Sequence, residues 1–461
     1  MTVSLVIPQT LAEELQRVAS LPKETAGVML AGVAQAPNGD LKLLGRQMRW
    51  VKESAYSRRD SDGLTIRSEG YVHALGEAET LGALCLWVHT HPGEGSSPRP
   101  SERDRIVDRE IADLFRFRSN SPYYGALIFS PRSSELAFTG HLQHEGCNSA
   151  QIGRLWEVGE RWHLIRAIDS TLSGLSAIFD RSVRAFGAAV QDTLGDLRVG
   201  IVGCGGTGSA VGEQLIRLGV RHLTLVDPDE LSETNLTRVY GSARSDVGDP
   251  KVQVLARHFA RIAPELRCET VQSMLTLESA ARRLIGCDVV FGCTDDNAGR
   301  LVLSRLATYL LTPVIDCGVL LSSDAAGQLA GIDGRVTILS PGQACLVCRG
   351  RIDLARASAE LLTPDERVRR EGEGYAPALT RTEPAVVAFT TLVGATAVSE
   401  LLERLIGYGP EPRPSEILLR CHEREISTNI ALPKEGHYCH PSSRKLGMGM
   451  TQPFLEQTWP T

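Results

Sequence analysis

The stretch that most constrains the fold of this chain is RVGIVGCGGTGSAVGEQLIRLGVRHLTLVD, residues 198–227. An apolar run, a glycine-rich turn, an amphipathic segment and a second apolar run predict a strand, a helix and another strand. Strands joined through a helix in this way lie parallel in one sheet. Further apolar runs at DVVFGC and TPVIDCGV extend the prediction to an α/β domain with a Rossmann-like, mostly parallel sheet.

The chain has 461 residues, more than one hydrophobic core usually accommodates. Residues 1–145 alternate short strand-like runs with helical stretches, which predicts a separate N-terminal α/β domain. We expect a helical linker over 146–174, the Rossmann-like domain over 175–445 and a loose C-terminal tail over 446–461.

Charge and hydropathy exclude several classes of protein. The formal net charge is −6, whereas dedicated nucleic-acid binders usually carry a basic domain. No apolar run approaches the roughly 20 residues of a membrane span, and the N-terminus lacks the pattern of a secretory signal. We therefore expect a cytoplasmic protein that binds neither nucleic acid nor membrane.

The first candidate site lies in HTHPGEGSSPRPSERD, residues 89–104. His89 and His91 are two apart on an extended segment, so their rings point to the same side. Asp104 stands at the start of a predicted helix and could complete a set of three ligands. Two imidazoles and a carboxylate with an open fourth position are typical of a catalytic zinc ion. Water bound there would have its pKa lowered towards about 7 and could attack an amide carbonyl.

This segment resembles the JAMM/MPN family of metallo-isopeptidases, whose signature is HxHP, a spacer, SxxD and a glutamate far upstream. Ser101 and Asp104 match SxxD, and Glu24 in ETAGVMLAG matches the upstream glutamate. The resemblance implies that Glu24 is the general base and that Ser101 stabilises the oxyanion. The spacer is about two residues longer than usual. The alternative is a domain that lacks metal and only binds partners.

The glycine-rich turn is the second candidate site. Glycines there let the backbone approach phosphates, whose charge the amides of the helix N-terminus receive. Asp227 ends the next strand and could hold a ribose hydroxyl, an arrangement that a dehydrogenase would share. Two cations that follow, Arg238 and Lys251, suit a triphosphate better. Asp295, at the end of a later strand, could be a ligand of a magnesium ion bound to the phosphates.

Residues 175–440 resemble the ThiF/MoeB/HesA adenylyltransferases, the bacterial relatives of ubiquitin-activating enzymes. The resemblance implies that a C-terminal carboxylate attacks the α-phosphate of ATP, giving an acyl-adenylate and pyrophosphate. Asp295 would organise Mg²⁺, and Arg181 would be donated near the nucleotide, often across a homodimer. The cofactor-binding set comprises Gly203, Gly205, Gly206, Asp227, Asp229, Asn235, Arg238, Lys251 and Asp295. The alternative for Asn235 and Arg238 is a helix cap with a surface charge.

Cysteines supply a third candidate site. The count of 11 in a long chain suits reduced thiols and a metal site rather than a disulfide framework. Cys345 and Cys348 form a CxxC pair that matches half of the structural zinc clip of the same family. GHYCHP would complete it with Cys439 and with His437 or His440; the alternative is a decayed clip.

The same family often carries a nucleophilic cysteine in a crossover loop. The corresponding stretch here, EGEGYAPALTRTEPAVVAFTT at 371–391, contains none. Cys317 and Cys421 remain, but their sequence surroundings do not indicate an activated thiolate. A thioester step is therefore in doubt.

The whole chain resembles bacterial fusions of these two domains. The resemblance implies a bifunctional enzyme for a ubiquitin-like protein, with a conjugating enzyme as a further partner. The first domain would cleave, and the second would adenylate the freed end. One alternative is a biosynthetic adenylyltransferase for a sulfur-carrier protein or peptide. The other is a non-catalytic scaffold that binds ubiquitin-like folds.

Overall fold

The computed structural model describes residues 2–61, 63–93, 98–132, 135–146, 149–167, 177–324, 326–362, 364–372 and 385–460. The chain forms two compact units. The first comprises Met1–Leu172 with the short pieces Tyr309–Leu311 and Leu446–Thr451, and the second comprises the remainder. In the described part of the chain, no helix is both long enough and apolar enough to cross a membrane.

The first unit contains ten strands and three helices in its described residues. In chain order these are β1 (Val3–Pro8), α1 (Gln9–Ala19), β2 (Ala26–Gln35), β3 (Leu41–Trp50), β4 (Tyr56–Arg59), β5 (Leu64–Ile66), α2 (Glu69–Leu81), β6 (Leu84–Thr90), α3 (Glu102–Ser119), β7 (Tyr123–Arg132), β8 (Glu135–His144), β9 (Ala150–Val158) and β10 (His163–Arg166).

The main sheet of the first unit has the order β1-β3-β2-β6-β7-β8-β9-β10, and β1 also pairs with β9. That extra pairing closes seven strands into a ring, so the sheet resembles a barrel. Side chains alternate between the two faces of each strand. In β6, Leu86 and Val88 join the core shared with α1, whereas Cys85 and Trp87 join the core under α2 and α3.

The predicted helical linker over 146–174 is wrong for the residues that the structure describes. Residues 150–158 and 163–166 are strands, and β9 pairs in parallel with β1 at the other end of the unit's sequence. Ile152, Leu155 and Trp156 are buried by this pairing. A partner some 150 residues away leaves no signature in local periodicity, which is why the segment was not recognised as strand. Residues 168–176 lie outside the described residues.

The second unit contains nine helices and eight strands in its described residues. They are α4 (Asp180–Phe186), α5 (Ala188–Asp196), β11 (Arg198–Val202), α6 (Gly206–Arg217), β12 (His222–Val226), α7 (Lys251–Ile262), β13 (Arg267–Val271), α8 (Glu278–Arg283), β14 (Val289–Gly292), α9 (Asn297–Tyr309), β15 (Val314–Ser323), β16 (Leu329–Leu339), α10 (Leu354–Glu360), α11 (Pro364–Gly372), α12 (Val387–Ile406), β17 (Glu416–Arg420) and β18 (Glu425–Asn429).

Its sheet has the order β13-β12-β11-β14-β15-β16-β17-β18. Strands β11 to β15 run parallel, as the sequence predicts, and the last three continue the sheet antiparallel. The chain leaves β11 towards β12 on one side and later returns to β14 on the other. Ligands of open α/β sheets bind outside the carboxyl ends of the strands at such a reversal.

The expectation of a loose tail over 446–461 is also wrong. Within the second unit, Phe454 and Leu455 are fully buried, and the ring of Phe454 stacks on Trp459 at 5.9 Å between centroids. Arg305 Nη1 donates a hydrogen bond to the Leu455 carbonyl at 2.7 Å. Two aromatic rings in the sixteen residues of 446–461 are too few to produce a periodic signal, but they are enough to anchor the segment.

Candidate metal centre and nucleotide cleft

Strand β6 places the two histidines. His89 continues the face of Cys85 and Trp87, and His91 follows on the same side two residues later. Thr90 points the other way and is fully buried; its hydroxyl accepts a hydrogen bond from Thr25 N at 3.0 Å. The polar residue between the histidines therefore ties β6 to the chain that precedes β2.

Helix α3 delivers the third ligand. Ser101 is its N-cap and Asp104 its third residue, and the two form a capping box. Asp104 N donates to Ser101 Oγ at 3.2 Å, and Ser101 N donates to Asp104 Oδ2 at 2.7 Å. A motif that begins a helix thus also fixes the carboxylate. The Ser101 hydroxyl accepts in this box and keeps its own proton to donate elsewhere.

The three ligand groups converge. One ligand atom from each of His89, His91 and Asp104 lies within 4.8 Å of the others. His89 Nε2 is 3.4 Å from Asp104 Oδ1, and His91 Nε2 is 3.9 Å from Asp104 Oδ2. Both ring nitrogens of His89 are buried without a hydrogen-bond partner. Buried polar atoms in that state are costly, and a cation held by one of them removes part of the cost, so the residues fit zinc.

Glu24 stands beside this cluster. It lies two residues before the first residue of β2, and the antiparallel register of β2 with β6 sets Ala26 opposite His89. Its carboxylate is nearly buried, and Glu24 Oε1 lies 4.0 Å from His91 Nε2. The four residues that sequence reasoning combined are therefore neighbours in space.

The charges of the cluster influence one another. Burial opposes ionisation of Asp104, but His89 and the capping Ser101 together hold the pKa of its carboxyl well below the usual range. Burial, with His89 as a neighbour, lowers the pKa of His91. A charged Asp104 carboxylate and a neutral His91 imidazole are the protonation states that a divalent metal requires of such ligands.

A cavity of about 520 Å³ adjoins the metal ligands. Its inner wall carries Asp108, which accepts a hydrogen bond from the Tyr124 hydroxyl at 2.8 Å and whose Oδ2 is 3.9 Å from His141 Nε2. Burial raises the pKa of Asp108. Sequence reasoning missed this acid, although it lies one helical turn after Asp104 and therefore on the same face of α3.

In the second unit the glycine-rich turn joins β11 to α6. Gly203 adopts a φ of +90°, which side chains rarely tolerate. A Cβ on Gly208 would lie 1.8 Å from the Gly203 carbonyl oxygen, so this glycine permits the turn to pack on its helix. Gly203, Gly205 and Gly206 line a cleft of about 370 Å³. The sequence predicts this turn correctly.

Asp227 directly follows β12 on the wall of the same cleft. Its carboxylate accepts hydrogen bonds from Cys204 N at 2.6 Å and Asp229 N at 2.9 Å. Lys251, the first residue of α7, places Nζ 2.6 Å from Asp229 Oδ2 and 4.0 Å from Asp227 Oδ1. Burial raises the pKa of Asp227, and Lys251 opposes that rise. The predicted cation and the two acids therefore share one wall.

The sequence left two roles open for Arg238 and Asn235, nucleotide contact or a helix cap with a surface charge, and the structure places the two residues differently. Arg238 lines the cleft, and its side chain packs at 3.3 Å from where a Cβ on Gly206 would lie. Asn235 Oδ1 instead accepts a hydrogen bond from Ser232 N at 3.0 Å and caps a short 3₁₀ helix. Asn235 is buried and does not belong to the described cleft wall, so the structure favours the cap for it.

Asp295 and Arg181 also differ in placement. Asp295 is exposed and lines the cleft just beyond β14, as expected from the end of a parallel strand. Arg181 lies exposed on α4 and is not among the described residues that line the cleft. Asp296 and Arg300, which the sequence reasoning did not select, line the cleft beside Asp295.

A second cavity, of about 680 Å³, shares part of its lining with the nucleotide cleft. The residues that line both are Asp295, Asp296, Arg300, Gly318 and Val319. The fully buried Asp316 holds this junction: Oδ1 is 3.3 Å from Arg300 Nε, and Oδ2 is 2.7 Å from Arg335 Nη2. Arg335 lines the second cavity and is not among the described residues that line the nucleotide cleft. Arg300 lies in α9 and Arg335 in β16, so no local sequence motif predicts that the two side chains meet at one carboxylate.

The cysteine cluster contains the types of ligand that the sequence predicts. Ligand atoms of Cys345, Cys348, His437 and Cys439 all lie within 4.8 Å of one another. Cys345 Sγ is 3.6 Å from His437 Nδ1, and Cys348 Sγ is 3.6 Å from Cys439 Sγ. A hydrogen bond from the Cys439 thiol lowers the pKa of Cys345 to about 5. Three thiols and one imidazole within this range fit a tetrahedral zinc ion.

Of the two histidines left open for the fourth position, the structure selects His437. His440 Nδ1 instead accepts from Ser442 N at 3.2 Å and caps a 3₁₀ turn. The predicted crossover segment lies mostly outside the described residues, which resume at Ala385. Ala385 and Thr390 line the nucleotide cleft.

A glycine-turn cleft at the reversal of a parallel sheet, with four acids, a lysine and two arginines among the described residues of its walls, defines a nucleotide-binding α/β domain. The ThiF family model matches residues 179–439, and the chain belongs to the ThiF family. The second unit is accordingly an adenylyltransferase domain. Residues 1–178 lie outside this match.

Three relatives illustrate the likeness. The molybdopterin-synthase adenylyltransferase of Escherichia coli is 29% identical over 251 residues, 53% of this chain and 88% of that protein. The sulfur carrier protein ThiS adenylyltransferase of E. coli is 30% identical over 160 residues, 34% and 60% of the two chains. The SAMP-activating enzyme E1 of Haloferax volcanii is 27% identical over 158 residues, 34% and 55%.

Proposed function

We propose that this chain adenylates the C-terminal carboxylate of a small carrier protein or peptide, of the sulfur-carrier or ubiquitin-like kind. The observation that carries the proposal is the junction of two cavities at Asp295, Asp296 and Arg300. One cavity has the walls of a nucleotide site, and the other gives a second substrate an independent route to it. The names of relatives that adenylate carrier proteins support the same substrate class.

The residues that line the cleft have different roles in this reaction. Amides of the glycine turn receive phosphate charge, and Asp227 accepts from a ribose hydroxyl. Lys251 and Arg238 neutralise the triphosphate, which lowers the repulsion that an incoming carboxylate meets. Asp295 is placed to hold Mg²⁺, which when bound would neutralise charge on the departing pyrophosphate.

Arg300 orients the second substrate. Its guanidinium stands at the junction and is held by the buried Asp316, so it is positioned before the substrate arrives. An extended C-terminus lying in the second cavity would end beside this cation. The carboxylate oxygen would then attack the α-phosphate, forming the acyl-adenylate as pyrophosphate leaves. Because residues 371–391 contain no cysteine, we propose that the thiol or amine of a partner attacks the adenylate.

ATP–pyrophosphate exchange, driven by small carrier proteins with free C-termini, tests this function. Lys251→Met should weaken ATP binding by about 30-fold, because a nearly buried cation is lost from the phosphate wall. Arg257→Met is a matched control. Arg257 is an exposed cation elsewhere on α7, and it pairs with Asp249, which precedes that helix. Equal exchange by both variants would reject the assigned cleft.

A second activity is favoured by the convergence of His89, His91 and Asp104 beside Glu24. We propose that the first unit is a zinc-dependent peptidase or isopeptidase that acts on the same carrier. Zinc bound by the three ligands would polarise the scissile carbonyl and make water more acidic. The Glu24 carboxylate takes the proton of the attacking water, and the Ser101 hydroxyl donates towards the oxyanion. A metal-free binding domain is the competing interpretation.

Separate variants distinguish the two activities. Glu24→Ala should abolish cleavage of a C-terminally extended carrier while leaving pyrophosphate exchange intact, and Asp295→Ala should do the reverse. Each variant is the control for the other. Loss of both activities in either protein would contradict independent sites, and the difference in zinc content between the parent and His91→Ala decides whether the first unit binds metal.

We also propose that the adenylyltransferase unit acts as a homodimer. Arg181 is exposed on α4 and lies apart from the cleft wall of its own chain, so a role near the nucleotide requires a second copy. Mixing Arg181→Ala with Lys251→Met protein should restore exchange if Arg181 acts across the dimer. Absence of restoration in a mixture shown to contain mixed dimers would remove this role.

A further inference from the structure

Two cysteines lie side by side on the floor of the nucleotide cleft. Cys293 follows β14, and Cys317 lies within β15. The parallel register sets Gly292 opposite Asp316, so the next residues, Cys293 and Cys317, also face each other. Both line the cleft. Neighbouring strands are about 4.8 Å apart, which lies within the Cα separation that a disulfide accepts.

The two thiols differ in exposure. The neighbouring Cys293 and burial together raise the pKa of the Cys317 thiol. Cys317 is only 3% exposed, whereas Cys293 is half-buried and open to the cleft. A small reagent that enters the cleft therefore meets Cys293 first and finds Cys317 directly behind it.

We propose that Cys293 and Cys317 form a reversible disulfide that blocks nucleotide binding when the surroundings become oxidising. The oxidant is a low-molecular-weight disulfide. The Cys293 thiolate attacks one sulfur of that reagent, giving a mixed disulfide and releasing one reagent thiol. Cys317 then loses its proton and attacks Cys293 Sγ, releasing the second thiol. The protein has lost two hydrogens and two electrons, and the reagent has gained both.

The cleft responds because Cys293 supports the glycine turn. Cys293 N donates to the Val202 carbonyl at 2.7 Å. A Cβ on Gly203 would lie 2.5 Å from the Cys293 carbonyl oxygen, so these two stretches of main chain are closely packed. The two neighbouring sulfur atoms must approach to about 2.05 Å to form a disulfide. That movement shifts the backbone under the turn that receives the phosphates.

The same movement reaches the cavity junction. Asp295 is two residues beyond Cys293, and Gly318 follows Cys317 at the junction of the two cavities. The bond is therefore expected to alter the phosphate wall and the entrance for the second substrate together. This inference rests on the nucleotide site assigned under the proposed function.

Treatment of the full-length protein with glutathione disulfide tests the proposal. Intact mass should fall by two hydrogens, and peptide mapping should join the peptides that contain Cys293 and Cys317. Affinity for a non-hydrolysable ATP analogue, measured by calorimetry, should fall by at least about tenfold and return with dithiothreitol. Zinc content, followed in parallel, reports any oxidation of the separate cysteine cluster.

The ratio of oxidised to reduced affinity is compared among variants. It should be close to one in Cys293→Ser and in Cys317→Ser, and as large as in the parent in Cys268→Ser, a cysteine outside the cleft. A stable glutathione adduct without the cross-link, or equal analogue affinity before and after cross-linking, would overturn the proposal. Reduced protein that does not bind the analogue would instead contradict the proposed nucleotide site.

Discussion

The described residues contain two clusters of side chains that could hold a metal ion, and the clusters differ in how many ligands they offer. The N-terminal cluster has three, from the end of β6, the residue that follows it and the start of α3, and two of them line a cavity. The C-terminal cluster has four, with three thiols, and two of its members are buried. Three ligands and an open position are typical of catalytic zinc, whereas four closed ligands are typical of structural zinc.

The supports of the two clusters differ in the same way. The open cluster is built on regular elements that fold for other reasons, namely a buried strand and a capped helix. The closed cluster joins two loops that lie about 90 residues apart in sequence. Arg351, close to Cys348, anchors one of these loops through its ion pair with Glu416. We therefore expect loss of metal to change chemistry at the first cluster and folding at the second.

The largest effect should follow Cys348→Ser. Removing one of four ligands from the closed cluster should lower the unfolding free energy of the second unit by more than about 4 kcal/mol, since structural zinc contributes on the order of 10 kcal/mol. Thermal unfolding and zinc stoichiometry measure this. Cys421→Ser is the matched control, because Cys421 is half-buried outside the cluster. Equal stability of the two variants would mean that the clip is not structural.

His91→Ala should have the next largest effect, and on activity alone. The variant should lose one equivalent of zinc and its peptidase activity by at least about 10³-fold, while its unfolding temperature stays within about 2 °C of the parent. His73→Ala, an exposed histidine on α2, provides the control. A large fall in unfolding temperature for His91→Ala would show that the two clusters do not differ as proposed.

The anchor of the closed cluster should give a smaller, pH-dependent effect. Arg351 Nη2 is 2.8 Å from Glu416 Oε2 in β17. Burial opposes ionisation of Glu416, but Arg351 and Asn429 lower its pKa to about 2, below the ordinary 4.5. The carboxylate therefore stabilises the fold above pH 4.5, and this contribution is lost as pH falls from 4.5 towards 2.

Glu416→Gln should accordingly cost about 1–2 kcal/mol at pH 7 and nothing near pH 2. Denaturant unfolding across this range measures the difference, and Glu425→Gln, whose partner Arg420 is exposed, is the control. A pH-independent difference between Glu416→Gln and the parent would assign the loss to packing rather than to charge.

The capping box of the open cluster should give the smallest effect. Ser101→Ala removes the oxygen that accepts from Asp104 N and should cost about 1 kcal/mol of stability. Zinc affinity, measured by chelator competition, should also fall several-fold, because the carboxylate is held less firmly. Ser101→Thr keeps the oxygen and should keep both properties. If threonine behaves like alanine, the cap is not what positions Asp104.

Much of both sites could be predicted because their residues lie in short motifs. HxH on a strand and SxxD at a helix start carry their geometry in their spacing, and so does the glycine turn with Asp227 after the next strand. Predictions failed where the decisive contact is distant. Strand β9 depends on β1, and Arg300 and Arg335 meet only at Asp316. For Asn235, predicted to hold the nucleotide, the structure adds a local contact, because its Oδ1 accepts a hydrogen bond from Ser232 N.

The sequence by itself determined the α/β class of the second unit, the glycine turn and the types of ligand in each cluster, because helix and strand periods and ligand chemistry are local properties. The tertiary structure alone decided that His437 rather than His440 joins the cysteines. It alone joined the two cavities and set Cys293 against Cys317. Each of these depends on strand register and on contacts between distant segments, which a single sequence does not encode in any local pattern.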